Sequence, residues 1–86
     1  MKEEKTSAAL PIITYAGYGV WNDICDCTEP VRRAYATGMR VFVANNEWCG
    51  DPSRGNRKYL FIIWNTPGGP ASGVVGEDDS KGIRVP

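Results

Sequence analysis

Alternation of apolar and polar positions predicts most of the regular structure in this chain. Residues 58–65, KYLFIIWN, are apolar on both alternating sets of positions, a pattern typical of a central strand covered on both sides. Residues 39–45, MRVFVAN, alternate more regularly and predict another strand. Shorter strand-like runs lie at residues 10–19, 74–75 and 83–85.

One segment has the period of an α-helix. Residues 28–38, TEPVRRAYATG, place their apolar side chains at helical spacing. Thr28 is the predicted N-cap, Pro30 is tolerated in the first turn, and Gly38 is the predicted C-terminal stop. A helix of this length is marginal in water, so we expect it to pack on another element.

Glycine and proline mark the remaining segments. Gly17 and Gly19 flank Tyr18 and predict a sharp bend or a close approach of the backbone. Residues 20–27 are compatible with a loop or with a short strand. Residues 66–73, TPGGPASG, read as a loop.

These elements predict an α+β domain with a mostly antiparallel sheet and one helix, about 28–38, packed on it. The alternative is an all-β sandwich or barrel with a single helical turn. The chain has 86 residues, enough for one small domain. We expect residues 1–9 to form a flexible tail and residues 10–86 to form the domain.

Composition narrows the classes of function. Ten basic and ten acidic residues balance to zero net charge, so the electrostatic footprint of a nucleic-acid-binding protein is missing. No run approaches the roughly 20 apolar residues of a membrane span, and the first residues lack the apolar core of a signal peptide. The compartment is undetermined from these features, with the cytoplasm as the default expectation.

Catalytic and metal chemistry have little support in the sequence. The chain has no histidine, no Gly-x-Ser-x-Gly and no phosphate-binding loop, so we expect a protein that is not an enzyme and has no cofactor. Cys25, Cys27 and Cys49 are an odd number, and reduced thiols are favoured over a disulfide. Three cysteines without histidine make a zinc site less plausible still, and no metal is expected.

Residues 44–60, ANNEWCGDPSRGNRKYL, carry a family resemblance. With ITYAGYG before the helix, this segment resembles the rhamnose/galactose-binding lectin domain of the sea-urchin egg lectin type, or a small cysteine-poor bacterial relative of it. The early Ala-x-Tyr-Gly element is matched at residues 16–19. The later motif is matched in order and spacing at Ala44, Asn46, Gly50, Asp51, Pro52, Gly55, Lys58, Tyr59 and Leu60.

The resemblance implies a set of sugar contacts. They come from Asp51, the backbone at Gly55, Lys58, and the corner formed by Tyr18 and Gly19. The family also has a sugar-binding glutamate on its first strand, which nothing before Ile12 supplies. If the C-terminal segment takes the place of that strand, Glu77 takes the role of the missing glutamate.

Two departures from the family pattern favour a second interpretation. Most of the family's disulfide cysteines are absent, with Ser53 in the place of one of them, and the first-strand glutamate is missing. The first hypothesis is a carbohydrate-binding module for a mono- or oligosaccharide, with a homo-oligomer possible. The alternative is a protein-interaction or structural domain that keeps the scaffold without binding sugar. In that case Asp51 and Lys58 form only a turn and a surface ion pair, and an apolar patch is expected around Trp21 and Trp48.

Overall fold

The computed structural model describes residues 11–86, which form an α+β domain with one helix and a mostly antiparallel arrangement of six strands. The predicted tail of residues 1–9 and the start of the predicted domain at residue 10 lie outside the described residues. The elements in chain order are β1 (Ile12–Val20), β2 (Asp23–Asp26), α1 (Thr28–Ala36), β3 (Val41–Phe42), β4 (Tyr59–Thr66), β5 (Gly69–Gly76) and β6 (Ile83–Arg84).

The main sheet has four strands in the order β2-β1-β4-β5, and every neighbouring pair is antiparallel. Strands β3 and β6 pair with each other in a separate two-stranded sheet. The prediction of a central strand at residues 58–65 is confirmed, since β4 has a partner on each side.

The two faces of the main sheet have different surroundings. The inner face presents Leu60, Ile62 and Trp64 of β4, which are buried against α1 and the β3–β6 pair. Tyr59 and Ile63 point to the outer face and are each 38% exposed. The prediction that this strand is covered on both sides is therefore wrong for residues 11–86.

A β-bulge at Thr14 keeps the apolar residues of β1 on the inner face. Ile13 pairs with Trp64 and points inward, whereas Tyr15, two positions later, pairs with Ile63 and points outward. The extra residue of a bulge shifts the alternation by one position. The Thr14 hydroxyl donates a hydrogen bond to the carbonyl of Ile63, 3.0 Å away, and so closes the irregular part of the ladder.

The helix is confirmed, with two corrections at its ends. It ends at Ala36, two residues earlier than predicted, and the next two residues form a turn in which Gly38 has a positive φ of 112°. Thr28 is the first helical residue, and Cys27 occupies the N-cap position. The Asp26 carboxylate accepts hydrogen bonds from both the amide and the hydroxyl of Thr28. It therefore satisfies a free amide at the start of the helix, as a capping side chain would.

Two other predictions of local structure need correction. Residues 66–73 are a hairpin instead of a loop: Pro67 and Gly68 make the turn, and β5 begins at Gly69. Pro70 is tolerated because β5 is an edge strand, where a missing N–H leaves no ladder bond unmade. The predicted strand at residues 39–45 shrinks to Val41–Phe42, because its partner β6 is only two residues long.

The region around Tyr18 continues β1 without a bend, so the glycines there serve close approach. A Cβ atom on Gly17 would lie 2.8 Å from the ring of Phe61 and 2.8 Å from the Tyr15 hydroxyl. Residues 20–27, left open between loop and strand, contain the short strand β2.

Cys25 and Cys49 form a disulfide, with their Cα atoms 6.4 Å apart, so the expectation of reduced thiols is wrong for this pair. Only Cys27 is free, and it is buried. The sequence separation of 24 gave no hint of the pairing, since β2 and the turn after β3 approach each other only in the folded chain. The bond links the edge of the sheet to the segment that precedes Asp51.

We expect the disulfide to contribute about 3.5 kcal/mol to the free energy of unfolding, as closure of a loop of this length in the unfolded chain predicts. Urea unfolding with and without reductant measures it. The variant with both Cys25→Ser and Cys49→Ser is the control, because reductant has no disulfide left to break in it. An equal response of this variant and the wild type to reductant would contradict the assignment.

Candidate functional site

Five polar side chains meet at one end of the main sheet, and we call them the Lys58 cluster. Lys58 directly precedes β4 and Glu77 directly follows β5. Because these strands are antiparallel neighbours, the start of one lies beside the end of the other. The cluster consists of Tyr18 from β1, Asn46 from the turn after β3, Asp51 from the following loop, Lys58 and Glu77.

Lys58 is the buried centre of this cluster, with only 3% of its surface exposed. Its Nζ lies 2.8 Å from the Asp51 carboxylate and 3.5 Å from that of Glu77. It also donates to the carbonyls of Asn56 at 2.7 Å and Ser53 at 3.1 Å. A buried ammonium requires such partners, and here oxygen atoms from the loop of residues 51–57 and from the end of β5 supply them.

Glu77 joins three parts of the chain. One of its carboxylate oxygens accepts a hydrogen bond from the Lys58 amide at 2.8 Å, and the other accepts one from the Tyr18 hydroxyl at 3.1 Å. Its own amide donates to the Lys58 carbonyl at 3.0 Å, which extends the β4–β5 pairing by one step. The structure thus places Glu77 in contact with Tyr18 and Lys58, two of the residues that the resemblance names as sugar contacts.

Tyr18 combines a buried side chain with a hydroxyl that reaches the cluster. Its side chain is fully buried among the inner-face residues, as a packing tyrosine would be. Its hydroxyl nevertheless reaches the cluster, 2.7 Å from the side-chain oxygen of Asn46 and 3.1 Å from Glu77. The single phenolic proton is shared between these two acceptors.

Asn46 is the member of the cluster that was not predicted as a site residue. It matches the asparagine of the family motif, but it is not among the sugar contacts that the resemblance implies. That match was the signal that could have placed it in the site.

The two predicted glycines lie at the margin of the cluster. Gly55 has a positive φ of 83°, which favours glycine, and it lies in the turn between the two carbonyls that hold Lys58. Gly19 pairs with Tyr59 and Ile24 and belongs to the outer-facing positions of β1, so it does not face the cluster.

The charges of the cluster stabilise each other. The hydrogen bond with Asp51 raises the pKa of Lys58, and the same bond lowers the pKa of Asp51. The Lys58 amide lowers the pKa of Glu77, and burial raises the pKa of Tyr18. At neutral pH the cluster therefore holds two carboxylates, one ammonium and a neutral phenol, with a net charge of −1.

The cluster opens to solvent on its acidic side. The side chains of Asp51 and Glu77 are 32% and 29% exposed, whereas the ammonium lies behind them. Next to it, Arg57 and Asp78 form a fully separate ion pair at the surface, with Arg57 also stacked on the ring of Tyr59. This second pair also joins a basic side chain to an aspartate, but in an exposed setting, so its aspartate can be compared with Asp51.

A cavity of about 320 Å³ lies elsewhere, between α1 and β3, and no member of the cluster lines it. Its apolar lining consists of Pro30, Ala34, Met39, Val41, Val43 and Trp48. The carboxylates and thiols of residues 11–86 include no group of three placed to hold a metal ion. Within the same residues, no helix has the length and apolar character needed to cross a membrane.

The two tryptophans of the predicted interaction patch differ in their environment. Trp21 is 88% exposed in the turn between β1 and β2. Trp48 turns inward: its ring lies 6.0 Å from that of Phe42, and its indole N–H donates to the Val43 carbonyl at 2.7 Å. Only Trp21 therefore has the exposure that the patch requires.

No protein-family model, no curated protein and no solved structure matches this chain.

We expect the stability of the protein to fall at both extremes of pH. Asp51 and Glu77 have lowered pKa values, so their contribution is present above the unfolded values of about 3.9 and 4.3 and is lost as the pH falls further. Lys58 and Tyr18 have raised pKa values, so their contribution is present below about pH 10 and is lost as the pH rises beyond it. Urea midpoints measured across this range test both limbs.

Two matched variants test whether the Lys58 cluster causes the loss of stability at low pH, which we call the acid limb. Asp78→Asn removes a carboxylate of the exposed pair, and Asp51→Asn removes one from the Lys58 cluster. We expect the cluster variant to flatten the acid limb more, because surface ion pairs contribute little. Equal flattening in the two variants would show that the cluster has no special share in acid stability.

Proposed function

We propose that the Lys58 cluster binds a small, neutral, polyhydroxylated ligand, a sugar of the galactose or rhamnose type, and that the protein is not an enzyme. The observation that carries this proposal is the arrangement of Asp51 and Glu77 around the buried Lys58 ammonium, with both carboxylates open to solvent. Asn46 extends the same polar surface, and the buried Tyr18 hydroxyl donates hydrogen bonds to Asn46 and Glu77 from beneath it.

The chemistry of the cluster suits vicinal hydroxyl groups. Each sugar hydroxyl offers one donor and one acceptor, and carboxylates beside an ammonium supply both complements. Hydrogen bonds to charged groups are worth about 1.5–3 kcal/mol each, more than those between neutral groups. The net charge of −1 disfavours phosphates and carboxylates as ligands, so a neutral polyol fits best.

The protonation states support binding over acid–base catalysis. A general acid or base works best with a pKa near the operating pH. In the cluster the pKa values of the two carboxyl groups are lowered, and those of Lys58 and Tyr18 are raised. Each of these pKa values therefore lies further from pH 7 than the ordinary value of its group.

One observation favours a second candidate, a purely structural role. Lys58 Nζ has four oxygen atoms within 3.5 Å and only three protons, so no donor is left over in this arrangement. In that case the cluster serves to hold the loop of residues 51–57 against the end of β5. Sugar binding would then require the long contact to Glu77, at 3.5 Å, to give way to a ligand hydroxyl.

A heteronuclear NMR titration of the labelled protein with L-rhamnose and D-galactose tests the proposal. We expect saturable shifts at the backbone amides of Tyr18, Asp51, Gly55, Lys58 and Glu77. A dissociation constant near 1 mM is expected, since a shallow polar site provides about 4 kcal/mol. Titration to tens of mM, roughly ten times that constant, covers the range.

Charge-matched variants separate binding from folding. Asp51→Asn keeps the size of the side chain and should weaken sugar binding about tenfold, equivalent to roughly 1.4 kcal/mol. Asp78→Asn makes the same change outside the cluster and should leave the affinity unchanged. Each variant is first compared with the wild type by its amide spectrum, so that a folding defect is recognised.

A flat titration of the folded wild type with both sugars would overturn the proposal and favour the structural role. Shifts that persist unchanged in Asp51→Asn would show that sugar binds elsewhere.

A further inference from the structure

The outer face of the main sheet carries five of the eight exposed large apolar side chains of residues 11–86. No helix or strand of that part of the chain lies over it, because α1 and the β3–β6 pair pack on the inner face. Its large side chains come from all four strands: Ile12, Tyr15, Ile24, Tyr59, Phe61, Ile63 and Val74.

This face is apolar where an antiparallel sheet facing water is normally polar. Ile12 and Val74 are 65% and 67% exposed, and Ile24, Tyr59 and Ile63 are 38–39% exposed. At about 200 Å² for a large side chain, these five leave roughly 500 Å² open, near the upper limit for the largest patch of a monomer.

Aromatic side chains of the same sheet cover the glycine at the middle of this face. The rings of Tyr15 and Phe61 lean over Gly17, with their centroids 5.9 Å apart. Ile63 and Val74 rise beside them as β-branched projections. The apolar cover of the face is therefore continuous, as is typical of sheets that pack face to face.

The charge on this face is small and balanced. On the four strands themselves, the outward-facing positions carry Asp26 at one edge and otherwise no ionisable group except the tyrosines. Arg57 lies over Gly76 at one end, where Asp78 neutralises it. Two copies can therefore meet face to face without bringing together blocks of like charge.

We infer that the outer face packs against the outer face of a second copy of this chain, forming a symmetric dimer. The five exposed side chains alone would bury roughly 1,000 Å² in total, the area at which a specific interface becomes plausible. The partly buried rings of Tyr15 and Phe61 and the polar rim add to that area. A two-fold axis makes such an interface self-complementary.

The dimer leaves the Lys58 cluster accessible, because the cluster is built from inward-facing and loop residues at the end of the sheet. Two clusters per dimer would raise the avidity for a ligand with repeated units. The inference does not rest on sugar binding, since the outer face and the cluster share no residue.

Sedimentation equilibrium of the full chain, from about 5 µM to about 500 µM, tests the dimer. We expect the mass to rise with concentration from that of one chain to that of two. Ile63→Lys places a charge in the middle of the face on an inner strand, and should weaken association at least tenfold. Val74→Lys makes the same test on the edge strand β5. Met39→Lys is the matched control, because Met39 is 43% exposed on the opposite layer.

Each outcome decides the inference. Loss of the dimer in both Ile63→Lys and Val74→Lys, with Met39→Lys unchanged, supports it, provided that the far-ultraviolet spectra show intact folds. A wild-type chain that stays monomeric throughout overturns it, whatever else then covers the face. Loss in Val74→Lys alone would indicate pairing between β5 edges and would also overturn it, as would equal loss in Met39→Lys.

Discussion

The burial of one ammonium group organises one end of the main sheet, where the candidate site lies. Lys58 is placed under the surface at the start of β4, where its charge must be matched by oxygen atoms. Asp51, Glu77 and two loop carbonyls meet that need, and through them the loop of residues 51–57 is held against the end of β5. The same contacts that stabilise the loop also gather the groups of the candidate site.

The rest of the fold holds this end in place. The β4–β5 pairing carries Glu77 to Lys58, and the β1–β4 pairing carries the Tyr18 hydroxyl to Glu77. The disulfide between Cys25 and Cys49 ties the edge strand β2 to the chain just before Asp51. The bulge at Thr14 shifts the alternation of β1 by one position, so that both Ile13 and Tyr18 point inward while Tyr15 points to the outer face.

Local patterns predicted the elements whose signals are local. The helix was recognised from its spacing and from Gly38, and β4 from its apolar run. The sequence predicts a loop where the hairpin into β5 lies, because glycine and proline are common both in turns and on edge strands. Only the pairing of this segment with β4 shows that it is a strand. The exposed outer face was mistaken for a buried one because an apolar strand does not specify what lies over it.

The sequence by itself predicted the α+β class, the central strand and the helix. Its family resemblance named candidate site residues, Tyr18, Asp51, Lys58 and Glu77 among them, but gave no contact between them. Tertiary structure decided the rest. Glu77, Asn46 and Tyr18 lie 19, 12 and 40 positions from Lys58, and no periodicity relates positions so far apart. The disulfide and the open outer face depend in the same way on long-range packing. These features follow from which strands pair and in what register, a choice made by the whole hydrophobic core and not by any one segment.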